Sequence, residues 1–213
     1  MVSTRSKTGA LPTASKTIDK ARPSRHPKGK KGTRVATSKG KAGAAVFLDN
    51  ASLLTDAGVH VSTASLLEGT KGIVLFTYPR ANTPGCTTQA CNMRDASADL
   101  KNMGYNIWGL SYDKPKSQAG WKAKHSLEYG LLCDTLDIGV IKALRAHKNP
   151  KGIVRSVFVV RAGKGGPKVV FHKLGVSPKD SVPVVKAFLE GEKKTEEKAE
   201  EKEEEKKDDA NGG

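Results

Sequence analysis

The sequence predicts an α/β domain in which a mixed central sheet is flanked by helices, with a disordered tail at each end. Between about residues 45 and 190, short β-favouring apolar runs alternate with segments of helical spacing, which is typical of α/β folds. A turn-rich segment, AGKGGP, joins the last two runs and predicts an antiparallel hairpin. The segments on either side of this region are polar and highly charged, so they are expected to lack a core.

The first elements follow from short runs and their flanking residues. The run from Ile73 to Tyr78 is apolar and bounded by Gly72 and Pro79, so it predicts a buried strand. Helical spacing from Cys86 to Met103, closed by Gly104, predicts the next helix. A short hairpin is expected within residues 46–67.

The rest of the domain continues the alternation of strands and helices. Pro115 suits the first turn of a helix and marks the start of one of them. The predicted strands are 106–112, 131–133, 153–160 and 168–173, and the predicted helices are 115–129, 139–147 and 181–190. Crossover helices imply parallel strands in the middle of the sheet.

Charge divides the chain into three parts: a basic arm (1–44), the folded domain (45–190) and a charged tail (191–213). The arm has twelve Lys/Arg and one acidic residue, so 12 − 1 gives +11, and the tail has six Lys and ten Asp/Glu, so 6 − 10 gives −4. Neither end shows an apolar periodicity that could offset the entropy of ordering, so both are predicted to be disordered. The charge mixture of the tail could also support a transient exposed helix.

The composition argues against several classes of protein. No apolar run approaches the roughly 18 residues that a membrane span needs, and no apolar segment at the N-terminus resembles a secretory signal. Three cysteines in 213 residues do not make a disulfide scaffold, so a reducing compartment is expected. The five histidines are scattered, which argues against a zinc site.

Cys86 is the strongest candidate for chemistry. It follows the loop Thr83-Pro84-Gly85 and falls in the first turn of the predicted helix, between a buried strand and that helix. Free backbone N–H groups and the helix dipole favour negative charge at this place. A thiolate is the reactive form of cysteine, so the sequence predicts a nucleophile here.

Cys91 lies five residues further on. Residues five apart in an intact α-helix have Cα atoms about 8.6 Å apart, whereas a disulfide needs roughly 4.4–6.8 Å. If the two sulfurs ever bond, the first helical turn must unwind. The alternative for both cysteines is two small buried residues on a helix face.

The loop and the start of the helix resemble a known family. Pro79, Thr83 and Cys86 match the general peroxiredoxin pattern P-x-x-x-T-x-x-C, and Thr83 through Cys91 match the narrower T-P-G-C-T-x-Q-A-C of the bacterioferritin comigratory, or peroxiredoxin Q, subfamily. The resemblance extends over about residues 70–190 and includes YDKP (112–115), LLCD (131–134) and GIVRSVFVV (152–160). It implies a thioredoxin-like fold.

The resemblance also implies an activity and a role for each matching residue. The protein would reduce hydrogen peroxide and organic hydroperoxides, with Cys86 as the peroxidatic and Cys91 as the resolving cysteine. Thr83 would hydrogen-bond peroxide and thiolate, Pro79 would shield the pocket, and Arg155 would stabilise the thiolate and polarise the O–O bond. The family implies thioredoxin as reductant, no metal or organic cofactor, and a monomer.

Other candidate residues have simpler interpretations. Cys133 follows two leucines in a short predicted strand, and a buried unreactive thiol is the default there, with a backup resolving role as the alternative. Arg155 lies in an otherwise apolar run, so from the residues alone a paired structural arginine and a site residue are equally good interpretations. Gln89 lies inside the motif and is expected to give support at most.

The basic arm has several interpretations, of which a solvated extension is the simplest. The cluster over residues 22–34 resembles a nuclear import signal, and its charge would also attract nucleic acid phosphates without sequence preference. An organellar transit peptide is less consistent with the Gly and Pro content of the arm. The nucleus is therefore the predicted location, with the cytoplasm or mitochondrion as alternatives. A second class of function is a chromatin- or nucleic-acid-associated redox sensor or scaffold.

Overall fold

The computed structural model describes residues 51–135, 138–163 and 166–210, with side chains described as far as Thr195. The basic arm (1–44), the segment VFLDN (46–50) and residues 164–165 of the last turn lie outside these ranges. The strands are β1 (Ser52–Thr55), β2 (His60–Ser62), β3 (Gly72–Thr77), β4 (Tyr105–Ser111), β5 (Gly130–Cys133), β6 (His147–Lys148), β7 (Gly152–Ile153), β8 (Ser156–Gly163) and β9 (Gly166–Leu174). The helices are α1 (Pro84–Asp95), α2 (Ser97–Asn102), α3 (Pro115–Lys124), α4 (Val140–Ala143) and α5 (Ser181–Ala210), with a 3-10 turn at Ser65–Leu67.

Seven of the strands form one mixed sheet in the order β2-β1-β5-β4-β3-β8-β9. The central strands β3, β4 and β5 are parallel. The pairs β1–β2, β1–β5, β3–β8 and β8–β9 are antiparallel. The predicted mixed sheet, its parallel centre and its final hairpin are therefore confirmed, and the predicted early hairpin is present as β1–β2.

The core lies on both faces of this sheet. Every residue of β3 is buried, and alternate residues enter different apolar clusters because successive side chains of a strand point to opposite faces. Val74 and Phe76 pack in the cluster that includes α1, α3 and α5, whereas Ile73 and Leu75 pack in the cluster that includes α4. The central strand thus fixes α1 against one face of the sheet.

Two predicted helices are shorter than expected. The predicted helix 86–103 is divided into α1 and α2, because Ala96 leaves helical geometry with φ −90° and ψ 1°. The predicted helix 115–129 ends at Lys124 because Ser126 adopts a left-handed φ of 50°. The chain then turns so that Leu127 and Tyr129 reach the core, a spacing that a continuing helix does not provide.

The region around residues 139–160 also differs from the prediction. Only Val140–Ala143 is helical, and Arg145 has a φ of 58°, which ends the helix. The predicted strand 153–160 begins later, at Ser156, because Gly152–Ile153 pairs with His147–Lys148 in a separate two-stranded ribbon. Arg155 therefore lies in the connection between β7 and β8 and not within a strand.

The tail from residue 191, for which the sequence predicts disorder or an exposed helix, continues α5 as a helix as far as Ala210. The tail is rich in Lys and Glu, which are strong helix formers, and it contains no proline. Glu190 stands four residues before Lys194, the spacing at which opposite charges stabilise a helix. None of the helices in the described part of the chain is long and apolar enough to cross a membrane.

Candidate active site

The candidate site is built at the carboxyl end of β3. This strand ends at Thr77, and Tyr78 follows it. Six residues after Tyr78, α1 begins with Pro84 in its first position. Thr83 precedes the helix in extended conformation, and its carbonyl oxygen accepts the first helical bond from the N–H of Thr87 at 2.8 Å. Cys86 is thus the third helical residue, and its own N–H belongs to the group of amides that find no partner within a helix.

A guanidinium group meets the sulfur at this helix start. Arg155 Nη2 donates to Cys86 Sγ over 3.4 Å, and Cys86 is only 2% exposed. The backbone of Arg155 is fixed because its carbonyl oxygen accepts the N–H of Val176 at 3.0 Å. The positive charge and the helix dipole act on the sulfur from a partly dry pocket, where electrostatic interactions are stronger than in water.

Gln89 holds the guanidinium in this position. It is completely buried, and its Oε1 accepts from Arg155 Nη1 at 2.6 Å. Its Nε2 donates to Ser181 Oγ at 3.1 Å, and that hydroxyl donates to the carbonyl oxygen of Ser177. The sequence interpretation gave Gln89 no more than a supporting part, whereas the structure makes it the link between α1, Arg155 and the start of α5.

The other two residues predicted at the site lie in the loop before α1. Thr83 is half-buried, and its hydroxyl donates to the carbonyl oxygen of Arg80 at 2.9 Å. Since the proton of that hydroxyl is engaged, the hydroxyl can take part in a further hydrogen bond only as an acceptor. Pro79 is exposed at the start of the same loop.

Asp113 was not identified from the sequence, although it holds this loop. Its Oδ2 accepts from the N–H of Ala81 at 2.7 Å and from Ser111 Oγ at 2.8 Å. Because β3 and β4 are parallel, the residues that follow them meet at one edge of the sheet, and Asp113 reaches the loop from there. In the sequence, Asp113 stands in the motif YDKP, directly after a predicted strand. This motif is the signal that points to Asp113.

The remaining cysteines have different surroundings. Cys91 is half-buried on α1, and Cys133 is buried in β5, only 4% exposed; all three cysteines are free thiols. Burial and, to a smaller extent, the carboxylates of Asp56 and Asp113 raise the pKa of Cys133 to about 12. Cys133 therefore stays protonated at neutral pH, as a buried unreactive thiol would.

The described part of the chain contains no cluster of three or more His, Cys, Asp or Glu side chains that could hold a metal ion. What the site offers is a buried sulfur, a fixed cation and free helix-start amides. The cation and the amides are hydrogen-bond donors. They stabilise negative charge on the sulfur and on an oxygen that leaves next to it. The fold and the site together define a class, α/β proteins of thioredoxin-like architecture with a cysteine held beside a cation at the start of a helix.

Comparison with known proteins identifies the family. The model of the AhpC/TSA family matches residues 47–164. The chain is 40% identical over 119 residues to peroxiredoxin bcp1 of Schizosaccharomyces pombe, an alignment that covers 55% of this chain and 58% of that protein. It is 42% identical over 110 residues to a putative peroxiredoxin, Rv2521, of Mycobacterium tuberculosis, covering 48% of this chain and 68% of the relative.

Solved structures agree with this family. The crystal structure of peroxidoxin BcpB from Mycobacterium tuberculosis superposes with a TM-score of 0.59 at 25% identity, covering 66% of this chain and 91% of the other. Peroxiredoxin Q of Xanthomonas campestris gives a TM-score of 0.58 at 25% identity, covering 66% and 89%. The chain belongs to the AhpC/TSA family and, within it, to the bacterioferritin comigratory (peroxiredoxin Q) peroxiredoxins, a group of peroxidase oxidoreductases.

Proposed function

We propose that the protein reduces hydrogen peroxide and organic hydroperoxides, with Cys86 as the peroxidatic cysteine. The observation that carries the proposal is the 3.4 Å contact between Arg155 Nη2 and Cys86 Sγ at the start of α1. The Cys86 thiolate attacks the terminal oxygen of the peroxide, and the O–O bond breaks. Sulfur is oxidised by two electrons to sulfenic acid, and the departing alkoxide or hydroxide takes up a proton and leaves as alcohol or water.

Fixed donors lower the barrier of this step because negative charge builds on the departing oxygen. Arg155 and the N–H of Cys86 stabilise that charge, and Gln89 keeps the guanidinium aimed at it. The Thr83 hydroxyl, whose proton is donated to Arg80, accepts the O–H of the peroxide and orients it. Pro79, which stands at the start of the same loop, is proposed to limit the access of water.

The proposed cycle continues with Cys91. The Cys91 thiol condenses with the Cys86 sulfenic acid, so that an S–S bond forms, the S–O bond breaks and one water leaves. Thioredoxin, a dithiol, then reduces the disulfide by exchange and is itself oxidised. The half-buried position of Cys91 on the same helix supports this role, because local unwinding of α1 brings the two sulfurs together.

Turnover with thioredoxin, thioredoxin reductase and NADPH tests the peroxidase. Wild type is expected to consume hydrogen peroxide and an alkyl hydroperoxide, and Cys86→Ser is expected to be inactive. Equal rates for the two proteins would reject the proposal. Cys91→Ser should consume about one peroxide per chain and stop at sulfenic acid, whereas continued cycling would assign resolution to another thiol.

The proposal includes a nuclear location and a monomeric state. The basic cluster of residues 22–34 supports nuclear import, and its charge would also allow salt-sensitive contact with nucleic acid. Fluorescence microscopy of the full chain and of a chain without residues 1–44 tests the location. Equal nuclear signal from both would reject a role for the arm, and sedimentation of the full chain tests the monomer.

A further inference from the structure

The first turn of α1 is tied to α3 by a hydrogen bond outside the chemistry described above. Trp121 Nε1 donates to Thr87 Oγ1 at 3.1 Å, and Thr87 is the residue directly after Cys86. Trp121 is 2% exposed and packs on the ring of Tyr78 with ring centroids 5.0 Å apart. The indole is therefore a fixed donor, and the bond holds the first turn of α1 against a rigid neighbour.

A disulfide between Cys86 and Cys91 cannot form while the helix between them is intact. The two Cα atoms are about 8.6 Å apart in an intact helix, and a disulfide needs them within roughly 6.8 Å. The first turn of α1 must therefore unwind, and Thr87 lies in that turn. A bond that is present only in the intact helix raises the free energy of the unwound state by its own net contribution.

Other hydrogen bonds also hold α1, but none of those described below is both specific to the intact first turn and separate from the peroxide step. Gln89 contacts Arg155, so its replacement disturbs the peroxide step as well. Tyr129 donates to the carbonyl oxygen of Ala90 at 2.8 Å, and Arg94 donates to that of His125 at 2.8 Å, both in the second half of the helix. Thr87 contacts neither Cys86 nor Arg155 through its hydroxyl, and it lies in the turn that must open.

We infer that Thr87 and Trp121 are positioning residues that control how fast the oxidised site passes from the intact helix to the Cys86–Cys91 disulfide. The inference rests on the proposed function. While the helix stays intact, the sulfenate can react with a second hydroperoxide. That reaction gives sulfinate and water or alcohol, with sulfur again oxidised by two electrons. The bond thus sets the ratio between recycling and irreversible oxidation.

Thr87→Val tests this inference because it keeps the shape and the β-branching of threonine and removes the hydroxyl. The indole N–H then has no acceptor at this position in the intact helix but is solvated when the turn opens. A net hydrogen bond corresponds to about threefold to tenfold in an equilibrium constant. Disulfide formation after one equivalent of peroxide, measured by rapid quench and mass spectrometry, is expected to accelerate by that factor.

The same experiment has three further arms. Thr87→Ser restores the hydroxyl and is expected to return the rate to that of wild type. Thr88→Val is the matched control, because the Thr88 hydroxyl donates to the carbonyl oxygen of Pro84 on the exposed side of the same turn. Trp121→Phe removes the donor from the other side of the bond, keeps an aromatic ring against Tyr78, and is expected to accelerate the step as well.

The second readout is the peroxide concentration at which half of Cys86 becomes sulfinate. It reflects the competition between disulfide formation and a second oxidation, so in Thr87→Val it should rise by the same factor as the disulfide rate. The rate of the first oxidation is expected to stay within about twofold, since the contacts of Cys86 and Arg155 are unchanged.

The outcomes separate the inference from the proposed function. If wild type forms sulfenic acid and disulfide, but Thr87→Val and Trp121→Phe form the disulfide at the wild-type rate, the inference is overturned and the proposed function stands. If wild-type Cys86 does not react with peroxide, the proposed function fails first. Acceleration in Thr88→Val equal to that in Thr87→Val would also overturn the inference, because a general weakening of the turn would explain both.

Discussion

Cys86 and Cys133 are buried to almost the same extent, 2% and 4% exposed, but their surroundings differ in every other respect. Cys86 stands in the first turn of a helix and accepts a hydrogen bond from a guanidinium. Cys133 stands in β5, paired on both sides by β1 and β4, with carboxylates as its nearest charges. Burial alone therefore does not decide the reactivity of a thiol. Under the proposed function, the charge around the thiol decides it.

The largest expected effect is the difference in alkylation of these two thiols. With iodoacetamide at pH 7, Cys86 of the reduced protein should react about 10³-fold or more faster than Cys133, whose thiolate is rare because its pKa is about 12. Peptide mass spectrometry over time measures both sites in one sample, and a urea-unfolded sample is the control in which the rates converge. Similar alkylation rates of Cys86 and Cys133 in the folded protein would contradict this prediction.

The second effect concerns the cation that Cys133 lacks. Arg155→Met should lower the rate of Cys86 oxidation by about 10²–10³, the loss typical for removal of one donor that stabilises a developing oxyanion. Stopped-flow oxidation with hydrogen peroxide measures it. Arg161→Met is the matched control, since Arg161 pairs with Glu192 and Tyr105 at the opposite end of β8. A loss of less than threefold in Arg155→Met would contradict the role of Arg155.

The third effect is the response of stability to alkaline pH. Because the folded-state pKa of Cys133 is raised to about 12, the unfolded chain loses this proton first, near its usual pKa of about 8.5. Stability is thus fully present below about pH 8.5 and falls between there and about pH 12, by up to about 1.4 kcal/mol per pH unit for this thiol. Urea unfolding of Cys133→Ala should show a shallower decline over pH 9–11 than wild type. Parallel curves would contradict the pKa shift.

The smallest effect concerns the loop that precedes Cys86. Asp113→Asn keeps the shape of the side chain but loses the charge that strengthens its bond to the N–H of Ala81. We expect about a threefold to tenfold lower rate of Cys86 oxidation, because the loop is held less firmly. Asp180→Asn, on an exposed turn before α5, is the control. Equal oxidation rates for wild type and Asp113→Asn would show that other contacts suffice to hold the loop.

Much of this comparison was visible in the sequence, and some of it was not. The buried strand 73–78 and the helix that starts near Cys86 follow from local pattern and flanking residues. The final antiparallel hairpin and the short strand that contains Leu-Leu-Cys follow in the same way. The position of Arg155 outside a strand does not, because its neighbours are apolar and β-favouring whichever strand they join. The contacts of Gln89 and Asp113 join residues 66 and 32 positions apart, and no local pattern specifies such pairs.

Gln89 joins the helix of the reactive sulfur to Ser181, which is 92 residues further along the chain. During synthesis, Cys86 leaves the ribosome long before Ser181 exists, so the contact that joins Gln89 to the start of α5 forms only afterwards. The nascent chain therefore carries Cys86 without the complete set of contacts of the folded site, and that set is complete only when the last helix of the domain has been made and docked.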